Sequence, residues 1–442
     1  MRPSTSRSRP LLEAAPGSTR LSDRALRILI ASGTFHPESG GPPTYLLRLG
    51  RELVERGHTV QVVTYGDLPA TRRYPYPVYR VPRDRPVFSK LALFTREVWR
   101  RGQDADLLFV NDYGLPATLA NLALRKPVVL KIVGDFAWEY AVRHGLIAAD
   151  EPFEQFQQSR YSLRVEALRR MQRAYVRAAT RVIVPSSFVQ GYVEGWGADP
   201  ARVRVVRNAV DDPTAGLRES RASIRASLGI GADERVLLVV ARLTAWKGVD
   251  TVIAALNNPA RGELAGEVQA VARLVVVGDG PDRARLQALA AGLPTGTVRF
   301  TGEVAKPEVG RWMAAADALA LCSGYEGLSH VLLEAMAAGL PVVASDIGGN
   351  RALIQDGHDG LLVPFGDVAA TQRGLAEVLS DGPQACTIRE NARRGAADRT
   401  VTRMVEETLA VFHEALAEVS DTGSAGGTGG AALAAESAGG RR

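Results

Sequence analysis

The chain has 442 residues, 46% hydrophobic and 23% charged, with a formal net charge of +6 and a pI near 9.4. This is the make-up of globular domains, and the length suits two or more of them at about 100–200 residues each. No apolar run reaches the ~18–20 residues of a membrane-crossing helix, the Arg/Ser-rich start lacks the apolar stretch of a secretory signal, and Cys322 and Cys386 form neither a disulfide framework nor a metal-ligand spacing. A cytoplasmic protein is therefore expected.

Residues 1–25 read as a disordered basic leader. Strands are expected at Arg27 to Ser32, Val60 to Thr64, Asp106 to Val110, Val128 to Val133, Arg181 to Val184 and Val203 to Arg207, with a helix from Tyr45 to Arg56 on the spacing of Leu46, Leu49 and Leu53. These define a first domain over 26–210. A polar stretch, 211–233, reads as a linker. A second domain over 234–400 repeats the alternation, with strands near Val236 to Val240, Leu274 to Val277, Val298 to Thr301, Ala318 to Leu321, Pro341 to Ala344 and Gly360 to Val363. A last helix is expected over 401–419, and the Gly/Ala-rich composition of 420–442 reads as a flexible tail. Alternation in both halves gives an α/β fold of two doubly wound, Rossmann-like domains, with ligands at the carboxyl ends of the strands and a cleft between the domains.

The most informative segment runs from Glu326 to Glu334, reading Glu-Gly-Leu-Ser-His-Val-Leu-Leu-Glu. Two glutamates so spaced within one helix would lie roughly 12 Å apart along its axis, too far to work as a pair. Gly327 is expected to put Glu326 on a loop, with a helix N-terminus next and Glu334 about two turns deeper. Such an electropositive helix end beside two carboxylates suits a ligand carrying both phosphate and sugar hydroxyls. Glu334 sits among Val331, Leu332, Leu333 and Met336, where an unpartnered carboxylate would be costly.

Arg242 and Lys247 follow an expected buried strand. They read either as solvated cations at a strand end or as a clamp on two linked phosphates, the arginine giving a planar fork and the lysine a mobile point charge. Only five of the 54 basic residues are lysine, so Lys247 carries some extra information. Gly40 and Gly41 precede a helix and read as a tight turn or as a phosphate loop. Gly278-Asp279-Gly280 lacks the third glycine of a dinucleotide fingerprint, position 283 being Arg, which argues against a nicotinamide site.

Together these segments resemble the retaining glycosyltransferases of family four, in the GT-B group. The resemblance runs over roughly residues 27 to 415 and rests on Ala241-Arg242-Leu243 with Trp246-Lys247-Gly248, Val275 to Pro281, Phe300 to Val304, Ala316-Asp317, the glutamate-bracketed segment and Gly348-Gly349. Upstream it includes Phe35-His36-Pro37, Gly40-Gly41, Gly57 to Val60, Pro185 to Ser187 and Asn208. It implies transfer of a sugar from a nucleotide-sugar donor on the second domain to a sugar or lipid-linked acceptor on the first, with retention of configuration by front-side displacement and with neither metal nor cofactor. By the same resemblance Gly40, Gly41, Arg242, Lys247, Gly278, Val304, Glu326, Gly327, Leu328, Ser329 and Glu334 hold the donor. Glu334 is assigned the ribose hydroxyls and Glu326 the transferred sugar.

Asp135 stands where many members carry a histidine near the reacting centre, which would make it catalytic beside Glu326, Arg242 and Lys247; the alternative is a plain turn aspartate. Another nucleotide-sugar enzyme of the same fold, an epimerase or hydrolase, and a non-catalytic nucleotide-sugar-binding protein are the competing readings. No nucleic-acid partner is expected. The stretch 160–179 sets Arg169, Arg170, Arg173 and Arg177 opposite an arc of Leu163, Leu168, Met171, Ala174 and Tyr175. It reads either as a core-facing helix with a solvated basic back or as a peripheral contact for the anionic inner membrane face.

Overall fold

A computed structural model describes residues 24–38, 40–67, 74–148, 151–257, 272–380 and 382–425. The leader up to residue 23 and the tail from 426 lie outside the described residues. Within them are two parallel sheets. The first holds β1 (Arg27–Ser32), β2 (Thr59–Tyr65), β3 (Val78–Val81), β4 (Leu107–Asn111), β5 (Val128–Lys131), β6 (Arg181–Val184) and β7 (Val203–Val205), in the order β3-β2-β1-β4-β5-β6-β7. The second holds β8 (Arg235–Val240), β9 (Ala272–Val277), β10 (Val298–Gly302), β11 (Ala318–Leu321), β12 (Val342–Ser345) and β13 (Leu361–Val363), in the order β10-β9-β8-β11-β12-β13. Every expected strand occurs with its ends within two residues; β3 was not anticipated, because Val78–Val81 is only half-buried at the sheet edge and shows no apolar run.

Both sheets are covered on both faces, which is why their strands read as continuous apolar runs. In the first, Leu29, Leu108 and Leu130 enter one core while Ile28, Ile30 and Phe109 enter the other. In the second, Leu238, Val275 and Leu319 face one core and Leu237, Val276 and Ala320 the opposite one. The long helix Val401–Ala425 crosses back to the first sheet, where Phe412 lies 5.3 Å from Phe109 and Arg181 pairs with Glu414 and Glu418. It runs past residue 420, where the tail was expected to begin.

Three other expectations change. The helix Gly41–Glu55 starts earlier than Tyr45, because Pro42 and Pro43 fit its first turn, where no N–H partner is needed. The polar linker is shorter than 211–233: helix Arg221–Ser227 already buries Ile224, and Ile230 follows it into the second core. Helix Leu163–Ala178 does not present its arginines together. Arg169 is buried, donates to Ser159 O, Gln157 O and Glu166, and lies over Phe156, while Leu163 is 88% exposed. The buried face is Val165, Arg169, Gln172, Tyr175 and Val176, so a membrane contact through Arg169, Arg170, Arg173 and Arg177 loses its central member.

An aromatic cluster joins the two domains. Tyr325, from the loop after β11, packs 4.5 Å from Trp138 and 4.6 Å from Phe153, and Trp246 closes on Trp138 at 5.9 Å. Each such pair contributes about 0.5–1.5 kcal/mol beyond its area. The carboxyl ends of the two sheets meet beside this cluster.

Candidate active site

Three loops at the carboxyl ends of β8, β9 and β10 are stitched together by backbone bonds: Ala241 N donates to Val277 O at 3.0 Å, Leu243 N to Asp279 O at 2.9 Å and Gly278 N to Gly302 O at 2.9 Å. Gly278 has φ +128, and a Cβ there would sit 1.9 Å from Ala241 O, so only glycine allows the loops to meet. The glycine pair after β9 thus holds Arg242 in place by packing. Arg242 itself is exposed and makes no hydrogen bond or ion pair with another described residue. Lys247 ends the short turn Ala245–Lys247, which Gly248 closes in the left-handed region, packed onto Cys322 O.

Lys247 Nζ lies 2.6 Å from Glu326 Oε1, and Ser323 Oγ donates to the same oxygen at 2.8 Å. The pair is largely shielded, the side chains being 21% and 12% exposed. Glu326 is on the loop, as its glycine neighbour suggests, and Gly349 packs directly under its carbonyl. Helix His330–Ala337 begins at the Ser329 cap, whose hydroxyl accepts from Leu332 N at 3.2 Å. Glu334 is consequently little more than one turn into the helix, not two, and pairs with Lys306 at 3.1 Å. Leu328 is buried, and Val304 packs on the same core. The side chains of Arg242, Lys247 and Glu326 and the amides of 327–329 belong to neighbouring strand ends; Gly278 borders them through its backbone bond to Gly302, and Val304 follows that strand.

The first domain supplies the opposite wall. Gly40 (φ +129) caps helix Gly41–Glu55, and Gly41 packs against the His330 ring so closely that a Cβ would fall 2.5 Å from it. Asp135 is the cap of helix Phe136–Arg143: Oδ1 accepts from Trp138 N at 3.0 Å and from Gln172 Nε2 at 3.1 Å, and Oδ2 from Gln157 Nε2 at 2.7 Å. It is 1% exposed, and burial pushes its carboxyl above the ordinary range. Both oxygens are thus held by internal donors, the geometry of the turn-aspartate alternative. Its backbone N–H donates to Tyr325 Oη at 2.9 Å, tying the two walls together.

One turn further along, Glu139 is a carboxylate that the sequence reading passed over. Its side chain is 42% open, yet desolvation by the cleft walls and then the neighbouring Asp112 push its pKa up to about 7. Asp112, at φ +60 just past β4, rises to about 6 through burial, although Val133 N and Asn111 Nδ2 donate to it. Nothing in the motif pattern marks either residue; only the close approach of β4, β5 and the Tyr325 loop does.

A buried chain of polar groups crosses the cleft floor. Lys131 Nζ donates to Asn208 Oδ1 at 2.9 Å and lies 4.0 Å from the Tyr45 ring centre. Since an ammonium only donates, the Asn208 amide nitrogen must face His330 Nε2, 3.1 Å away, and His330 accepts as neutral imidazole. Burial, then Lys131, Lys306 and Arg48, lower the His330 pKa to about 4. Between pH 6.5 and 4 the unfolded chain binds a proton there and the folded one does not, so stability falls as pH drops through this window. The expected loss is up to about 3 kcal/mol, and His330→Asn should flatten it; equal acid sensitivity of the variant in urea melts at pH 4.5 and 7 would remove His330 from the linkage.

Residues 220–395 match the group 1 glycosyl transferases, and residues 39–212 match glycosyltransferase family 4. The 2-deoxystreptamine N-acetyl-D-glucosaminyltransferase of Streptomyces fradiae is 32% identical over 83% of this chain and 90% of its own length. The chain belongs to glycosyltransferase family 4. Another relative, a D-inositol 3-phosphate glycosyltransferase of Salinispora arenicola, is 36% identical, but the match spans about half of each chain, 51% of this one and 52% of the relative. Among solved structures, Anabaena HepE in complex with UDP and glucose superposes with a TM-score of 0.70 at 21% identity, over 88% of this chain and 100% of that one. Sucrose-phosphate synthase of Thermosynechococcus elongatus gives 0.71 at 22% identity, over 89% and 100%. Both likenesses bear on the fold, which is the GT-B arrangement of two Rossmann-like domains.

Proposed function

We propose that the protein transfers a sugar from a nucleoside diphosphate sugar to a hydroxyl acceptor, with retention, the donor resting on the second domain and the acceptor on the first. The observation that carries this reading is the meeting, at one cleft, of the Lys247–Glu326 pair, Arg242, which pairs with no other described residue, the capped helix N-terminus at Ser329 and the Glu334 carboxylate. Arg242 and Lys247 would hold the diphosphate, Glu334 the ribose and Glu326 the sugar. The acceptor oxygen would attack the anomeric carbon from the face the diphosphate leaves, its proton passing to the departing phosphate oxygen. Protein cations would neutralise that leaving group in place of a metal.

UDP, the nucleotide bound to HepE, is the first to test, and N-acetylglucosamine, named in the Streptomyces fradiae relative, the first sugar. The acceptor panel should hold 2-deoxystreptamine, inositol 3-phosphate and a lipid-linked sugar. Transfer to any of them, with no donor consumed in its absence, supports a transferase; consumption without acceptor points to the epimerase or hydrolase reading. Glu334→Gln should weaken UDP binding by about 1.5–3 kcal/mol, the worth of a hydrogen bond to a charged group, less whatever its solvated Lys306 pairing already offsets. Titration calorimetry decides: unchanged affinity in a folded variant removes the ribose assignment.

A further inference from the structure

Helices Val87–Gly102 and Leu115–Leu124 pack side by side on the first domain. Among the described residues, six of the eleven exposed large hydrophobic side chains lie on these two helices, with Phe88 85%, Leu122 73%, Val87 69% and Trp99 45% exposed. Phe88, Leu91, Ala92, Trp99 and Leu119 line one groove between the helices and form an apolar stripe, with Leu122 one turn beyond Leu119. Arg96 lies in that groove, Arg100 one turn beyond it, and Arg125 and Lys126 at the end of the second helix. Arg96, Arg125 and Lys126 pair with no carboxylate among the described residues. Across 83–101 and 115–126 there are eight basic and two acidic residues. The stripe begins near the cleft lip, where Arg83 donates to Gly33 O at 3.1 Å and to Glu38 at 2.7 Å.

We propose that this face docks the protein on an anionic lipid bilayer, with Phe88, Trp99 and Leu122 entering the interface and Arg96, Arg125 and Lys126 meeting the headgroups. Aromatic and aliphatic tips flanked by cations match the bilayer boundary, where an apolar layer lies under a negative surface. A second copy fits less well, because two such faces would bring their arginines together. No helix of the described residues is long and apolar enough to cross a membrane, so the contact would be peripheral.

The test is flotation of the full chain with vesicles of phosphatidylcholine alone or mixed with phosphatidylglycerol. Binding is expected to the mixed vesicles only, and to fall with added salt. Phe88→Ser/Trp99→Ser should lower the partition by at least about tenfold and Arg96→Glu by roughly fivefold or more, while Arg170→Glu/Arg177→Glu should leave it unchanged. All of these side chains lie on the surface, and an unchanged melting temperature shows that each variant folds. Equal partition of wild type and Phe88→Ser/Trp99→Ser, or no binding to the mixed vesicles, overturns the proposal. So does a wild-type dimer in light scattering that Phe88→Ser/Trp99→Ser dissolves, since the face would then be a self-contact.

Discussion

Lys247→Ala is expected to slow sugar transfer about tenfold to a thousandfold while changing donor affinity far less. The negative charge on the leaving diphosphate grows as the glycosidic bond breaks, so a cation placed there stabilises the transition state more than the bound donor. A loss of ~2–4 kcal/mol, the usual worth of one such stabiliser, falls within this range. In the structure Lys247 Nζ rests 2.6 Å from Glu326, and this suggests a competing account in which the lysine merely orients the glutamate. A double-mutant cycle separates the two: if Lys247 acts only through Glu326, Lys247→Ala adds no further loss in a Glu326→Gln background. A further loss is expected. Excess EDTA should leave wild-type turnover unchanged; if chelation abolishes it and Mg²⁺ restores it, protein cations are not what neutralises the leaving group. A fully active Lys247→Ala would return the residue to an ordinary surface cation.

The strands were legible because parallel sheets bury both faces, so β1, β4, β5, β8, β9, β11 and β12 appear as apolar runs with turn residues at their ends. The edge strand β3, half exposed, leaves no such trace. The loop position of Glu326 followed from Gly327, but the start of the helix did not: Ser329 caps it, and a Ser-His pair gives no periodic signal that would fix the first turn. Asp135 shows a different limit. A carboxylate after a buried strand reads alike whether it faces a cleft or caps a helix, and only the positions of Gln157, Gln172 and Trp138, which lie on three helices, set its hydrogen bonds. Glu139 and the Lys131–Asn208–His330 chain depend in the same way on contacts between segments tens to hundreds of residues apart. The basic face of helix Leu163–Ala178 misled because a helical wheel treats arginine as solvated, whereas Arg169 is buried against Phe156 with its guanidinium satisfied by carbonyls.

Gly327→Ala is expected to cut turnover by about a hundredfold with little change in thermal stability. A Cβ at this position would lie 1.8 Å from the Val133 carbonyl oxygen, which belongs to the other domain. Gly327 lies outside the left-handed region, so alanine is compatible with its own backbone, and the atoms nearest the added Cβ are backbone atoms of Val133 and Gly134, not core side chains. The clash can be relieved only by displacing the Glu326–Ser329 loop or by separating the domains by roughly an ångström, and an error of that size in positioning reactants is worth about 10² in rate. The Asp135 N–H to Tyr325 hydrogen bond, 2.9 Å long across the same seam, would lengthen with it. Donor binding to the second domain alone should persist, because the Arg242, Lys247 and Glu334 side chains lie on that side of the clash. Steady-state transfer, UDP calorimetry and a melting curve on the same preparation make the comparison. Wild-type turnover in Gly327→Ala would mean that the close contact between Val133 and Gly327 is not part of the reacting arrangement; a collapse in melting temperature would mean that the contact supports folding instead of the final approach of donor and acceptor.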